Sequence, residues 1–153
     1  MSPKAQRAAR AFVAGLIGAA IIALSLWAHL VIGNFDVLSG LGYAGPGSRP
    51  VTELGLLLDA GRFSAFLVLP LALLAAFSGP WPLRALLAVL FAFGWYWAAE
   101  RVAGGFASAT GGGWLPGEAF AALIYRDTLT PVVWTLAVLT FLFVIWRLCR
   151  RPG

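Results

Sequence analysis

The feature that most constrains this chain is the length of its uncharged apolar runs. From Ala11 to Phe35 the sequence has no Asp, Glu, Lys or Arg, and a second such run extends from Phe63 to Leu83. A helix needs about 20 apolar residues to cross the hydrocarbon core of a bilayer. The content of charged residues, 11%, is also far below the roughly 25% of soluble domains. The runs therefore predict helices whose solvent is lipid.

Two further apolar segments complete the predicted topology. One follows Arg84 and ends at an aromatic cluster beside Glu100 and Arg101, and the other precedes Arg147. We predict an all-α integral membrane protein with one membrane domain and four transmembrane helices, at about residues 11–33, 63–79, 82–103 and 130–148. A cleaved signal peptide is the alternative for the first run. That run is longer than the 7–15 apolar residues of a signal and has no clean cleavage site, which favours a retained span.

The charged residues sort onto two sides of such a bundle. Four spans place both termini on one side, with seven basic residues and no acid, whereas the other side holds four basic residues and all six acids. Because Lys and Arg are enriched in cytoplasmic loops, we predict cytoplasmic termini and a multi-pass protein of the inner cell membrane. Abundant Arg, Ala and Gly indicate a GC-rich bacterial genome. The seven basic residues are Lys4, Arg7, Arg10, Arg84, Arg147, Arg150 and Arg151.

The first extracytoplasmic connection is predicted to be a loop from Asn34 to Gly61 whose second half is structured. Glycines between 40 and 47 are typical of turns. Pro50 is placed to open a short interfacial helix with Glu53 in its first turn, and that helix feeds the second span. Pro70 is expected to kink this span.

The second extracytoplasmic connection follows the third span. The stretch GGFASATGGG at 104–113 is interpreted as a flexible loop, because it lacks the GK[ST] ending of a phosphate loop and follows no strand. A short amphipathic helix is predicted from Pro116 to Asp127. Thr130 and Pro131 are predicted as the N-cap and first residue of the fourth span.

The first span carries a stripe of small residues at every fourth position, which favours close approach of another helix. The stripe consists of Ala11, Gly15, Ala19 and Ala23. His29 falls near the same face, so we expect it to meet a neighbouring helix rather than lipid. A histidine hydrogen-bonded between helices is the favoured interpretation. A titrating or metal-binding role, or a pairing with Glu100, is the alternative.

The candidate polar site consists of Glu100, Arg101, Tyr96 and His29. Tyr96 lies four residues before Glu100 and is placed to donate to its carboxylate, and Trp97 lies four before Arg101, at the spacing of a cation–π contact. An anchored helix end is the simpler interpretation of this cluster. If neighbouring loops enclose Glu100, it becomes a candidate proton or cation site.

Several functional classes are disfavoured by composition. The basic residues lie at the ends of apolar runs and form no patch, which argues against nucleic acid. A single cysteine excludes an internal disulfide, and a single histidine excludes a haem held between two histidines. We therefore expect no metal or cofactor and assign no catalytic residue. Two short segments, GPGSRP and GGFASAT, resemble the small membrane subunit of tripartite tricarboxylate transporters, although the region after Gly113 departs from that pattern.

These observations favour a small non-catalytic subunit or scaffold of a larger membrane complex of transport or respiratory type. Its expected partners are the bilayer and either another membrane protein or a second copy, engaged through the small-residue stripe. The first alternative is a homo-oligomeric channel or transporter with Glu100, Arg101 and His29 at its outer mouth. The second is a membrane enzyme that uses Glu100, Glu118 or Asp127 as an acid or base, which requires these carboxylates to converge on a pocket.

Overall fold

The computed structural model describes residues 2–41, 50–77, 80–109 and 113–149. Seven α-helices occur in these ranges and no strand is present among them, so the all-α prediction is confirmed there. The turns predicted at 42–47, 78–79 and 110–112 lie outside them, as do Arg49, Arg150 and Arg151. The helices are α1 (Pro3–Gly33), α2 (Phe35–Leu41), α3 (Glu53–Ala65), α4 (Val68–Ala76), α5 (Trp81–Ala109), α6 (Glu118–Leu123) and α7 (Leu129–Cys149).

Three of these helices, α1, α5 and α7, are long and apolar enough to cross a membrane. The pair α3 and α4 passes the same test together but is bent by 45°, so the described chain has three candidate spans, or four with the bent pair. Large apolar side chains remain exposed on the outside of all four units, among them Leu24, Leu69, Val89 and Leu136. An apolar exterior of this kind suits a lipid solvent, because water would disfavour it.

The bend explains a difference from the predicted second span. The expected interfacial helix is continuous with the start of that span as α3, and the chain breaks at Phe66 and Leu67. Their amide groups bond three residues back, to Phe63 and Ser64, instead of four. Pro70 has no N–H to donate, and its ring clashes with the carbonyl four residues earlier, at Phe66. The predicted kink is therefore present, one turn before the proline.

The four units α1, α3–α4, α5 and α7 alternate in direction, with α1 in the centre of the packing. Helix α1 contacts α3, α4 and α7 extensively, and α5 contacts α3, α6 and α7. Gly33 of α1 lies beside Leu129 of α7, whereas Gly18 lies beside Phe141, so these two helices are antiparallel. We call the end at Gly33 and Leu129 the loop end. The opposite end, where the Arg7 guanidinium donates to the Ala76 carbonyl, is the terminal end.

The predicted small-residue stripe is buried inside the chain itself. Ala11, Ala19 and Ala23 are buried, and Gly15 lies against α4. A Cβ atom added at Gly15 would stand 2.4 Å from the Val68 carbonyl oxygen and 2.9 Å from the Cβ of Ala72. Gly15 therefore lets α4 approach α1, and the stripe that we assigned to a partner is buried within this chain.

Helix α5 extends further than predicted. It continues to Ala109, so the segment from Gly104, expected to be a loop, is helical as far as that residue. The Ser108 hydroxyl donates to the Gly104 carbonyl at 2.8 Å, within the same turn. Glycine lowers helix propensity, but tertiary context commonly overrides that preference. Glu100 consequently lies well inside α5 and not at its end.

The first connection is also more helical than predicted. Helix α2 was expected to be loop, and it follows α1 after the single residue Asn34, which is 1% exposed. Helix α3 begins at Glu53 with Thr52 as its N-cap, whose hydroxyl accepts from the Gly55 amide at 3.0 Å. The predicted start at Pro50 was therefore early, because Thr52 supplies the capping oxygen that a proline lacks.

The second connection differs in a similar way. Helix α6 covers only Glu118–Leu123 of the helix predicted from Pro116 to Asp127. Helix α7 begins at Leu129, so Thr130 lies in its first turn and the predicted N-cap was wrong. The Thr130 hydroxyl instead accepts from the preceding Arg126 amide at 2.8 Å. An N-cap would accept from an amide further along the helix.

Candidate functional site

The Glu100 carboxylate joins α5 to the start of α6. One carboxylate oxygen accepts from the Gly117 amide at 2.9 Å and the other from the Phe120 amide at 3.0 Å. These amides belong to the first turn of a helix, where N–H groups lack partners within the helix. Gly117 has φ of +86°, a conformation that glycine adopts without strain. Glu100 of α5 thus caps the N-terminus of α6 by accepting hydrogen bonds from its amides.

Aromatic packing supports the same junction. Phe120 packs edge-to-face on Tyr96 at a centroid distance of 4.9 Å and on the fully buried Trp95 at 6.5 Å. The predicted hydrogen bond from Tyr96 to Glu100 is not among the contacts of the described chain. The Tyr96 hydroxyl instead stands 3.2 Å from where a Cβ at Gly117 would lie. Tyr96 therefore shapes the turn that Glu100 caps.

Arg101, the next residue of α5, is exposed. Its guanidinium carbon lies 5.4 Å from the ring centroid of Trp97, so the predicted cation–π contact is present. Trp97 also packs edge-to-face on Phe63 of α3 at 6.2 Å. The ring therefore positions the guanidinium near the surface.

Glu100 and Arg101 both line a cavity of about 700 Å³ at the loop end. Its walls come from α5, from Phe63 of α3, and from the chain between Gly113 and Ala119. Three aromatic rings contribute, those of Phe63, Trp97 and Trp114. Beyond Arg101, the α5 wall consists of small residues, namely Gly104, Gly105, Ala107 and Ser108.

His29 lies in a second polar cluster, which is closed to solvent. Its Nε2 atom is 3.1 Å from the Ile124 carbonyl oxygen and 3.2 Å from the Thr130 hydroxyl, with the Asn34 amide nitrogen at 3.4 Å. A carbonyl oxygen can only accept, so the contact with Ile124 is a hydrogen bond in the tautomer that carries its proton on Nε2. The Nδ1 atom has no partner among the described residues, and neither does the Asn34 side-chain oxygen.

Arg126 completes the attachment of this cluster to α1. Its Nε donates to the Gly33 carbonyl at 3.2 Å, at the end of α1 where carbonyl groups lack helical partners. A cation at a helix C-terminus is also favoured by the helix dipole. His29, Thr130 and Arg126 therefore fix the α6–α7 connection onto the loop end of α1.

The four predicted site residues thus divide into two groups. Glu100 and Arg101 line the cavity, and Tyr96 contacts the chain segment that forms its wall. His29 is not among the lining residues and lies on another side of Trp95, with ring centroids 5.8 Å apart. Sequence reasoning missed Thr130 and Asn34 as partners of His29, and Arg126 as the residue that ties the same connection to α1. The spacing of residues in the sequence does not predict these contacts, because the partners lie on other helices or beyond the end of α1.

The positions of the three acidic residues bear on the hypothesis of a membrane enzyme. Of Glu100, Glu118 and Asp127, only Glu100 lines the cavity, so the convergence that the enzyme hypothesis requires does not occur there. The Glu118 carboxylate accepts from the Leu115 amide at 2.9 Å. Within the described ranges, no group of three or more His, Cys, Asp and Glu side chains is placed to hold a metal ion.

Comparison of the chain with protein-family models, with curated proteins and with solved structures finds no match. Any functional assignment therefore depends on the geometry of the site itself.

Proposed function

We propose that this chain is a four-span membrane protein that acts as a non-catalytic subunit or scaffold of a larger membrane assembly. The observation that carries the proposal is the engagement of Glu100. Both of its oxygens accept from main-chain amides of the α6 turn, which is the role of a structural tie. His29 is also held by a main-chain group, the Ile124 carbonyl. The two groups best suited to chemistry thus hold the loop end together.

The topology belongs to this proposal as well. We infer that the terminal end faces the cytoplasm of a cell with an inner membrane. Among the described residues, Lys4, Arg7, Arg10, Arg84 and Arg147 belong to the helix ends at that side, whereas the acids belong to elements at the loop end. This distribution follows the enrichment of Lys and Arg on the cytoplasmic side of membrane proteins.

Cysteine labelling tests the topology. In a Cys149→Ser background, Ser108→Cys places a thiol on an exposed position near the loop end, and Ser2→Cys places one at the terminal end. We expect an impermeant maleimide to label intact cells only at position 108 and permeabilised cells at both positions. Labelling at position 2 alone in intact cells would reverse the orientation. Extraction of the protein by carbonate, without detergent, would reject membrane insertion.

Purification from native membranes in a mild detergent tests the subunit role. Stoichiometric recovery of a larger membrane protein that survives dilution and a second gel-filtration step is the expected result. Recovery of the chain alone, as a defined oligomer, would contradict the subunit role.

A channel or transporter is the second candidate, because Glu100 and Arg101 open onto the same cavity. It requires ion or solute flux in proteoliposomes that changes with Glu100→Gln. Glu118→Gln is the matched control, since that carboxylate does not line the cavity. Flux altered by Glu100→Gln alone would favour this candidate over the subunit.

A further inference from the structure

We propose that the cavity at the loop end binds the headgroup of a zwitterionic phospholipid, one that carries a phosphate and an ammonium group. The inference uses the membrane assignment proposed above but is independent of the subunit role. It is based on the residues that line the cavity: the charged side chains of Glu100 and Arg101, the aromatic rings, and Gly104 and Gly105.

The two charges open onto the cavity without neutralising each other. Glu100 and Arg101 are consecutive on α5, and consecutive helical side chains do not face each other. The Arg101 guanidinium rests on Trp97, and the described residues offer it no carboxylate at ion-pair distance. A carboxylate has about four lone-pair positions, and the Gly117 and Phe120 amides occupy two of them on Glu100. Each charge therefore retains capacity for an opposite charge.

A zwitterion satisfies both requirements at once. Arg presents a planar set of N–H donors that matches a phosphate group. An ammonium group is attracted by a carboxylate and by the faces of aromatic rings. Of the three lining rings, Phe63 and Trp97 already hold the guanidinium groups of Arg62 and Arg101, at 5.9 and 5.4 Å, which leaves Trp114 for the ammonium group. A ligand with only a negative charge would meet Glu100, and one with only a positive charge would meet Arg101. The lining therefore favours a ligand that carries both signs.

The glycines of α5 explain how space for the ligand is kept. A Cβ added at Gly104 or Gly105 would meet no atom of the described residues within 4 Å. Neither glycine is required by contact with another helix, and each costs helix stability of about 1 kcal/mol relative to alanine. Both residues line the cavity, so the missing side chains leave its floor open.

The membrane position of the cavity favours a lipid over a soluble zwitterion. The cavity lies in the last turns of α5, where a spanning helix meets the headgroup region, and Trp97 and Trp114 are of the type enriched at that depth. The exposed, apolar Leu115 continues the lining at its edge and offers a surface for the start of an acyl chain.

The test measures lipid binding by native mass spectrometry of the full chain in a lipid-free detergent. The probes are dioleoyl phosphatidylethanolamine, dioleoyl phosphatidylglycerol and soluble phosphoethanolamine. We expect one molecule of phosphatidylethanolamine per chain, bound more tightly than phosphatidylglycerol. Arg101→Gln should weaken binding by about tenfold or more, the scale of one hydrogen bond to a charged group. Gly105→Leu should also weaken binding, because its side chain would occupy the space of the headgroup.

Gly61→Leu is the matched control, because a Cβ there also meets nothing within 4 Å but Gly61 does not line the cavity. It should bind phosphatidylethanolamine as the unmodified chain does. Equal binding of phosphatidylglycerol would overturn the zwitterionic assignment, and equal affinity for soluble phosphoethanolamine would overturn the lipid source. Unchanged binding in both cavity variants would overturn the site. If the wild-type chain needs detergent for extraction but binds no lipid, the membrane assignment stands and the lipid site is rejected.

Discussion

Two groups of glycines in this protein serve opposite purposes. Where α1 meets α4 and α7, a Cβ at Gly15 or Gly18 would lie within 2.4 or 2.6 Å of a neighbouring atom. At the cavity, a Cβ at Gly104 or Gly105 would meet nothing within 4 Å. The first pair allows helices to touch, and the second leaves a volume unfilled. The same residue type thus marks both the most tightly packed region and the most open one.

The difference has an energetic consequence. Every interior helical glycine costs about 1 kcal/mol relative to alanine. In the packed region that cost is offset by backbone contact between helices, which stabilises association in lipid. In the open region there is no such contact in the described chain. The outer part of α5 should therefore tolerate added side chains, whereas the middle of α1 should not.

The largest expected effect is that of Gly15→Leu. Its Cβ alone would overlap the Val68 carbonyl oxygen, a main-chain atom that cannot rotate away. Overpacking usually costs 1–3 kcal/mol, and we expect about 3 kcal/mol or more here because backbone must move. Thermal unfolding in detergent measures the change, with Gly61→Leu as the control. An unchanged melting temperature for Gly15→Leu would show that α1 and α4 do not pack closely.

Glu100→Ala should produce the next largest effect, at the boundary between the two regions. The Gly117 and Phe120 amides would lose their acceptors, at a cost of about 2 kcal/mol that water in the cavity limits. We expect hydrogen exchange at these two amides to accelerate by roughly 30-fold, while α1 stays protected. Glu118→Ala is the control, since it removes a single bond, to Leu115. Equal acceleration in both variants would contradict the capping role of Glu100.

Thr130→Val should have a smaller effect, in the packed cluster around His29. Valine keeps the shape of threonine but cannot accept from the Arg126 amide, so we expect a loss of about 1 kcal/mol. Hydrogen exchange at the Arg126 amide measures it. Thr140→Val is the control, because it is the same substitution at an exposed position. The Thr140 hydroxyl donates to the Leu136 carbonyl of the same helix. That variant should change stability by less than about 0.5 kcal/mol.

The parts of the fold that were predictable depend on local pattern. Apolar runs located the long helices, and the fixed four-residue spacing located the contact of Arg101 with Trp97. Pro70 fixed the bend, because its effect on the carbonyl four residues earlier is also local. Local patterns failed at α2 and at the end of α5, where Asn34 and the glycines after Ala103 are typical of loops. Burial of Asn34 and the position of α5 in the bundle outweighed those preferences.

The candidate site was less predictable, since its partners are distant in sequence. Glu100 bonds to amides 17 and 20 residues away, and His29 meets groups 95 and 101 residues away. Main-chain amides and carbonyls have no sequence signature, so the type of residue at those positions carries no information about the bond. Only the three-dimensional path of the chain shows that Glu100 caps α6 and that His29 belongs to a different cluster.

The smallest expected effect is a gain in stability, and it compares the two groups of glycines directly. Gly104→Ala should stabilise the protein by about 0.5–1 kcal/mol, because it raises helix propensity and meets no neighbour. The same change at Gly18 should destabilise it, since the new Cβ would stand 2.6 Å from the Phe141 ring. The two variants should therefore shift the melting temperature in opposite directions. The rise for Gly104→Ala should be a few degrees at most. A lower melting temperature for Gly104→Ala in lipid-free detergent would mean that another part of the chain fills that space, and the contrast between packed and open glycines would not hold.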